Sequence, residues 1–589
     1  MDTYSINFFV ASAVAAILAV ILTRRKRFCL TALFIVPVLH YVLFYNYDSG
    51  LVGGISPFLV PYAGAIYAAI LFAFFLSYKA VSSQQISGRK QSVVRIVLAC
   101  IVLFLLILYS QAIPWGIDTF PLSNVEVILF TVFAGANEGS EEFVISTFIS
   151  DALRSASYLF ACLVALLVTL SAFLSKWNTK VAFHFWKLKL ILAEREFLEI
   201  LGHLEKFSLV AVAAYCLVIS LVLPGIVTSA PLHVLFQKPV DSKLYREHYA
   251  NPDSVKITIP QQPKNLIVIF LESMETNFAR YTPEIDSLFK QWGFAPGGVN
   301  VSGTSWTIAG ITGKLCGIPL NMPMGIDEYH GKLPTYLPHA SCLMNVLANQ
   351  GYEQVYVQGS SGDFTQKRDF WKVHGNVSIH DIEYFKEIGK IPQDYKVFWG
   401  FEDRKLYGFV KEELDSLAER GKPFALYMLT VDTHQPFGYT DELCQENVTD
   451  KEGKFPQALR CASMQLSEFL DWASKQPWFT NTVISVMGDH TMDMLSAKAN
   501  VPPHEQLYWT NFILNSTLPL PQKACQYSSL DMFPTLLESM GFSLENRAMG
   551  LGKSLYSNEP TLLERYGQKT LDSLLRERSI QYDYFLMGK

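Results

Sequence analysis

A polytopic α-helical membrane domain followed by an α/β sandwich domain is the architecture expected of this chain, and three observations carry the expectation. Six apolar stretches reach spanning length, which takes about 20 residues, and all lie within residues 1–232. Hydrophobic residues make up 50% of the chain and charged residues 17%, with a mean hydropathy of +0.21, too apolar for a protein dissolved in water along its whole length. From residue 263 onward, short apolar runs alternate with amphipathic segments, the pattern of a doubly wound sheet. At 589 residues the chain also exceeds what one hydrophobic core supports. A net charge of -5 is small for this size and argues against nucleic acid as a partner.

The six spans are expected near 5–23, 28–46, 56–78, 93–113, 154–175 and 207–229. The first is a retained anchor and not a cleaved signal, because its positive charge (Arg24, Arg25, Lys26, Arg27) follows the apolar run and no small-residue cleavage pattern is present. Basic residues crowd the connections after the first, third and fifth spans: Arg24 to Arg27, then Lys79, Arg89 and Lys90, then Lys176, Lys180, Lys187, Lys189 and Arg195. The connection after the fourth is acidic, with Asp118, Glu126, Glu138, Glu141 and Glu142. The positive-inside rule then puts both the amino terminus and everything after the sixth span on the outer face. Phe183 to Leu204 reads as an amphipathic helix on the cytoplasmic surface, and Val125 to Phe133 as a short re-entrant or interfacial segment.

Residues 233–262, punctuated by Pro239, Pro252 and Pro260, read as a linker or wrapping arm. Residues 263–545 read as the catalytic domain, with 546–589 as its carboxyl-terminal extension. Strands are expected at Leu266 to Leu271, Gln354 to Gln358, Phe424 to Val431 and Thr482 to Met487. Helices are expected at Pro283 to Gln291, His339 to Gln350, Arg404 to Arg420, Phe455 to Lys475 and Ser529 to Met540.

Two strand ends carry chemistry. The run Leu266 to Leu271 delivers Glu272 at its carboxyl end, and Thr482 to Met487 ends in Gly488-Asp489-His490. Ligand sites of open α/β sheets lie on that rim. Between them, Gly303-Thr304-Ser305 precedes a segment of helical spacing (Trp306, Ile308, Ile311, Leu315), which places Thr304 at a helix N-terminus, where anions are favoured. Glu272, Thr304, Asp489 and His490 together make a mixed oxygen and nitrogen site for one divalent cation. Each alone is ordinary: a Gly-Asp-His is more often a turn, and a threonine before a helix is usually a cap. Their convergence on one rim is what points to a site.

The stretches LESMET, GTSWTIAGITGKLCGIPL, GYEQVYVQGSSGDF, WGFEDRKLY, LTVDTHQPF and VMGDH, spread over residues 263 to 545, resemble the membrane-bound phosphoglycerol transferases of the alkaline phosphatase and sulfatase superfamily, to which the lipoteichoic acid synthases are more distantly related. That resemblance implies a sulfatase-like fold and a phosphatidylglycerol donor. It further implies a periplasmic glucan or other envelope glycan as acceptor, release of diacylglycerol, and one divalent cation, manganese first, with zinc and magnesium admitted by the same donors.

Carried over residue by residue, the resemblance makes Thr304 the nucleophile, with Thr307 and Ser305 as rivals, and Glu272, Thr304, Asp489 and His490 the metal ligands. His434 becomes a substrate-binding histidine. Lys367, Arg368 and Asp363 fall where the lipoteichoic acid synthases hold glycerol phosphate, although the Trp-Asn-Arg pattern of those enzymes is absent here. Trp306 is either a pocket wall or a core residue. In an exported domain cysteines pair, and the expected bridges are Cys316 to Cys342 and Cys444 to Cys461, leaving Cys525. The expected setting is the bacterial inner membrane, with the catalytic domain on the periplasmic side. The competing readings are a phosphoethanolamine transferase acting on lipid A or another envelope glycan, and a non-catalytic membrane binding protein. A true sulfatase lacks support, because no Cys-x-Pro-x-Arg surrounds the nucleophile position.

Overall fold

The computed structural model describes residues 104, 107, 108, 111, 148–161, 181–185, 188–192, 239–321, 336–434, 438–447, 454–492, 506–521 and 525–587. The chain divides into two compact units, Met1–Ile117 with Glu142–Thr228, and Asp118–Glu141 with Ser229–Lys589. Among the described residues no helix is long and apolar enough to cross a membrane. The spans expected at 5–23, 28–46, 56–78 and 207–229 lie outside the described residues, as do most of those at 93–113 and 154–175 and the segment Val125 to Phe133.

One expectation in the first unit is corrected. Where an amphipathic helix was expected from Phe183, the chain forms two antiparallel strands, Val181–Phe185 and Leu188–Leu192, with Val181 opposite Leu192 and Phe185 opposite Leu188. The alternation Leu188-Lys189-Leu190 and the aromatic and branched content suit a two-residue period better than a helical one.

The second unit is built on a six-stranded sheet. Its strands are β1 (Asn265–Leu271), β2 (Glu353–Gln358), β3 (Ser378–His380), β4 (Phe424–Leu429), β5 (Thr482–Gly488) and β6 (Asn511–Leu514), in the spatial order β3-β2-β4-β1-β5-β6. All neighbours are parallel except β6, which runs antiparallel to β5. Strands buried on both faces read as unbroken apolar runs, which is why NLIVIFL and TVISVMG are legible. Alternate residues of β1 feed opposite cores: Leu266, Val268 and Phe270 one, Ile267, Ile269 and Leu271 the other.

Helices cover both faces. On one side lie α1 (Pro283–Trp292), α3 (Asp403–Glu419) and α4 (Lys454–Ala473), whose Ile285, Leu406, Val410, Leu414, Leu459, Leu466 and Phe469 join the Ile267 core. On the other lie α2 (Thr307–Cys316) and α5 (Met532–Ser539), contributing Ile308, Ile311, Leu315, Phe533, Leu536 and Leu537. The residues after 239 wrap back on this unit: Leu244 and Tyr245 are buried in its core, and Ile257–Thr258 pairs with Ser543–Leu544. Cys316 is joined to Cys342 and Cys444 to Cys461, and among the described residues Cys525 forms no disulfide.

The helix expected at His339 to Gln350 is shorter, Leu343–Asn349, beginning behind the buried Cys342. The last expected helix opens as a 3-10 turn, Ser529–Asp531, before α5. Strands β3 and β6 were not expected, because three or four residues at a sheet edge leave too short a pattern to read.

Candidate functional site

The register of the sheet builds the site. Leu271, the last residue of β1, lies opposite Gly488, the last of β5, so Glu272 and Asp489 leave adjacent strands side by side. Asp489 N–H then bonds back to Leu271 O at 3.1 Å. Ser273 takes a left-handed conformation (φ 52°), a strained turn of the kind found at functional sites. Its N–H donates to Asp489 Oδ1 at 2.8 Å and its hydroxyl to Glu272 Oε1 at 2.7 Å. Asp489 Oδ1 also accepts the His490 N–H at 2.8 Å, whereas Asp489 Oδ2 is buried and receives no hydrogen bond from the described residues.

His490 completes the group. Its Nδ1 lies 2.7 Å from Thr491 O, and a carbonyl can only accept, so Nδ1 carries a proton and Nε2 is the ring nitrogen turned toward the carboxylates. That Nε2 faces Asp489 Oδ2 at 3.4 Å and Glu272 Oε1 at 3.7 Å. Donor atoms of Glu272, Asp489 and His490 all lie within 4.8 Å of one another, and all three residues are buried. Burial, and after it the charge of Asp489, pushes the Glu272 carboxyl up. Two buried carboxyl groups and an imidazole nitrogen converge on one point here. The two oxygens and one nitrogen, with one carboxylate oxygen left unbonded, therefore fit a divalent ion.

The threonines are distributed differently from the expectation. Helix α2 begins at Thr307, behind Trp306 as an extended N-cap (φ -136°, ψ 163°). Thr304 is two residues ahead of that cap and fully buried, and its hydroxyl is closed on one residue, donating to Val301 O at 2.8 Å and accepting from Val301 N–H at 2.9 Å. Thr307, half-buried at the dipole end of α2, donates to Glu272 Oε2 at 3.4 Å. The placement of Thr304 at the helix N-terminus is thus corrected in favour of Thr307. Ser305 lies between Thr304 and the cap. Trp306, read above as either a pocket wall or a core residue, is a member of the core beneath α2 and 7% exposed.

Around this centre the other expected residues separate into two groups. Arg368 Nε pairs with Asp363 Oδ1 and its NH2 with the buried Asp381 Oδ2, each at 2.5 Å, so Arg368 and Asp363 are committed to a structural clamp. Lys367 is 2% exposed, and its ammonium donates to Phe364 O at 2.9 Å, held by a turn in which Thr365 and Gln366 are both left-handed. Burial brings its pKa down to about 8, against the opposing pull of Glu272, Asp381 and Asp489. His434 follows Thr433, whose hydroxyl donates to Glu272 O at 2.6 Å. Buried Asp403 accepts the N–H groups of Val431 and Asp432 and so fixes this loop.

Two residues escaped the reading of the sequence. Trp399 lies 4.4 Å from the His434 ring and 5.6 Å from Phe364, making an aromatic wall; its only signal was the WGFEDRKLY stretch. Lys314, within α2, is fully buried against the Asp489 carbonyl at 2.6 Å.

Residues 264–542 match the family model described as Sulfatase. The chain is 31% identical over 314 residues to phosphoglycerol transferase I of Salmonella paratyphi B, an alignment covering 51% of this chain and 40% of the relative. It is likewise 31% identical over 324 residues to phosphoglycerol transferase I of Citrobacter koseri, covering 53% and 41%. The chain thus spans less than half the length of these curated relatives. Among solved structures it is similar to the lipoteichoic acid synthase LtaP from Listeria monocytogenes, at 16% identity and a TM-score of 0.43 over 56% of this chain and 96% of that one, too distant to carry function across. Residues 264–542, with Glu272, Asp489 and His490 at the ends of adjacent strands, are thus the part of the chain that is similar to the Sulfatase family.

Proposed function

We propose that this protein transfers phosphoglycerol from phosphatidylglycerol to an envelope glycan, through a phosphoglycerol ester on Thr307. The observation that carries the reading is the Thr307 hydroxyl, at the N-terminus of α2 and bonded to Glu272 within a buried Glu-Asp-His centre. In this reading residues 1–232 anchor the chain in the bacterial inner membrane, 233–262 lead out of it, and 263–545 with the 546–589 extension face the periplasm, where the lipid donor and the glycan meet.

Glu272, Asp489 and His490 would hold one divalent cation, manganese ahead of zinc or magnesium. When bound, it supplies positive charge against the phosphoryl oxygens and acidifies the attacking hydroxyl. Thr307 Oγ1 is positioned by Glu272 Oε2, which takes its proton as the oxygen bonds to phosphorus. The bond from phosphorus to the diacylglycerol oxygen breaks, and His434 gives that oxygen its proton. In the second half the glycan hydroxyl returns a proton to His434 and attacks phosphorus, the bond from phosphorus to Thr307 Oγ1 breaks, and Glu272 hands back the proton it took, so that Thr307 leaves as the free hydroxyl. Lys367 neutralises the phosphoryl anion, and Trp399 with Phe364 walls the glycerol moiety.

Incubating the full chain with phosphatidylglycerol and manganese is expected to release diacylglycerol and to add about 154 Da, one phosphoglycerol group, to Thr307. Release and an adduct only with phosphatidylethanolamine would move the donor to that lipid. Neither release nor adduct from either lipid, on a folded and metal-loaded protein, would end the transferase reading. Replacing Lys367 with methionine removes a buried cation facing the substrate anion. The expected result is a KM for the lipid raised about tenfold, with kcat much less affected; a KM that does not move would take Lys367 out of the pocket.

A further inference from the structure

We infer that Lys314 is a positioning residue for the cation site, holding the peptide plane between Asp489 and His490; this rests on the reading of those two residues and Glu272 as metal ligands. A lysine in a helix normally keeps its ammonium in water, and burying it costs several kcal/mol unless its donors are satisfied. Lys314 is 0% exposed, and among the described residues no carboxylate lies within ion-pair distance of it. Its ammonium instead donates to the main-chain oxygen of Asp489 at 2.6 Å and to Ser529 Oγ at 3.1 Å, over the Trp509 ring at 4.1 Å.

The face of α2 explains the contact. Thr307, Gly310 and Lys314 are spaced three and four residues apart and share one side of the helix. A Cβ on Gly310 would come within 2.0 Å of Asp489 O, so the helix backbone lies directly against that carbonyl. Helix α2 therefore meets the centre twice, through Thr307 on Glu272 and through Gly310 and Lys314 on Asp489.

The carbonyl that Lys314 holds belongs to the same peptide as the His490 N–H, which donates to Asp489 Oδ1. That plane carries one proposed ligand at each end. The Asp489 N–H is fixed on Leu271 O and its Oδ1 by Ser273 and His490, so with the carbonyl clamped only Oδ2 is left for a cation. Without Lys314 the carbonyl is buried and unsatisfied, and the plane is free to rotate, moving both ligands.

Two effects oppose each other. The ammonium's positive charge weakens cation binding, whereas its clamp strengthens it, and the inference requires the clamp to dominate. The test is Mn2+ affinity of the full chain in detergent, read from the electron paramagnetic resonance of free Mn2+, together with the melting temperature of the metal-free protein. Lys314→Met is expected to weaken Mn2+ binding about 10- to 100-fold, as loss of an outer-shell partner does, while the metal-free protein stays folded at the assay temperature, the cost of an unsatisfied carbonyl being offset in part by removal of a buried charge. Ser529→Ala, which removes only the second anchor of the ammonium, is expected to give a smaller loss in the same direction and decides the matter should Lys314→Met not fold. Unchanged or tighter Mn2+ binding in these variants overturns the inference, as does a loss that only follows lost folding. A wild type that binds Mn2+ but releases no diacylglycerol would remove the phosphoglycerol reading and leave this comparison standing.

Discussion

Thr307→Ala is expected to lower diacylglycerol release by on the order of 10^3-fold or more and to abolish the covalent adduct, because a covalent route without its nucleophile leaves only slow direct attack by water. Thr304→Ala is expected to retain the adduct. Its hydroxyl is closed on Val301 in both directions, so the substitution removes a buried local pair and lowers the melting temperature, by about 1 to 2 kcal/mol of stability, without touching the centre. Thr307→Ser, which keeps an oxygen one bond from the helix start, should retain measurable release. The measurement is intact mass after incubation with phosphatidylglycerol and manganese, with peptide mapping of the modified residue. An adduct mapped to Thr304, persisting in Thr307→Ala and lost in Thr304→Ala, would restore the assignment read from the sequence.

That contest shows where the sequence is legible and where it is not. The strand ends are readable because parallel strands buried on both faces must be continuously apolar, so Glu272 and Asp489 stand out as the first charges after each run. The helix start is not readable to the same precision. Trp306 is apolar and stands immediately before the run Ile308, Ile311 and Leu315, so a sequence reading counts it as helical, yet its backbone is extended and it caps α2. A shift of three residues then decides which threonine meets Glu272. Lys314 is invisible for a different reason. A cation in an amphipathic helix reads as a solvated face, and only the packing of α2 on the Asp489 carbonyl reverses that. Arg368 is the converse, a cation that reads as substrate-binding until Asp363 and Asp381 are found on it.

Manganese is expected to raise the melting temperature strongly at pH 8 and hardly at all at pH 5. The Glu272 carboxyl is pushed up to about 8 from the usual 4.5, first by burial and then by the charge of Asp489. A folded-state pKa above the unfolded value means that the fold prefers the protonated acid. The contribution of Glu272 to metal-free stability is complete below about pH 4.5 and is lost as the pH rises through about 8. A cation needs the ionised carboxylate, so it competes with that proton, and its affinity climbs over the same interval. At a hundredfold excess over Kd the gain is about 2.7 kcal/mol, read as a melting-temperature difference with and without Mn2+ at each pH. Buried Asp403, held up to about 7, and Asp531, held up to about 6, shift metal-free stability in the same sense, but they do not belong to the Glu-Asp-His group, so the difference cancels them. Glu272→Gln isolates the effect: it removes the titrating group and a ligand together, and the Mn2+ increment should fall to near zero at every pH. An increment of equal size at pH 5 and pH 8, or one that survives in Glu272→Gln, would place the cation away from Glu272.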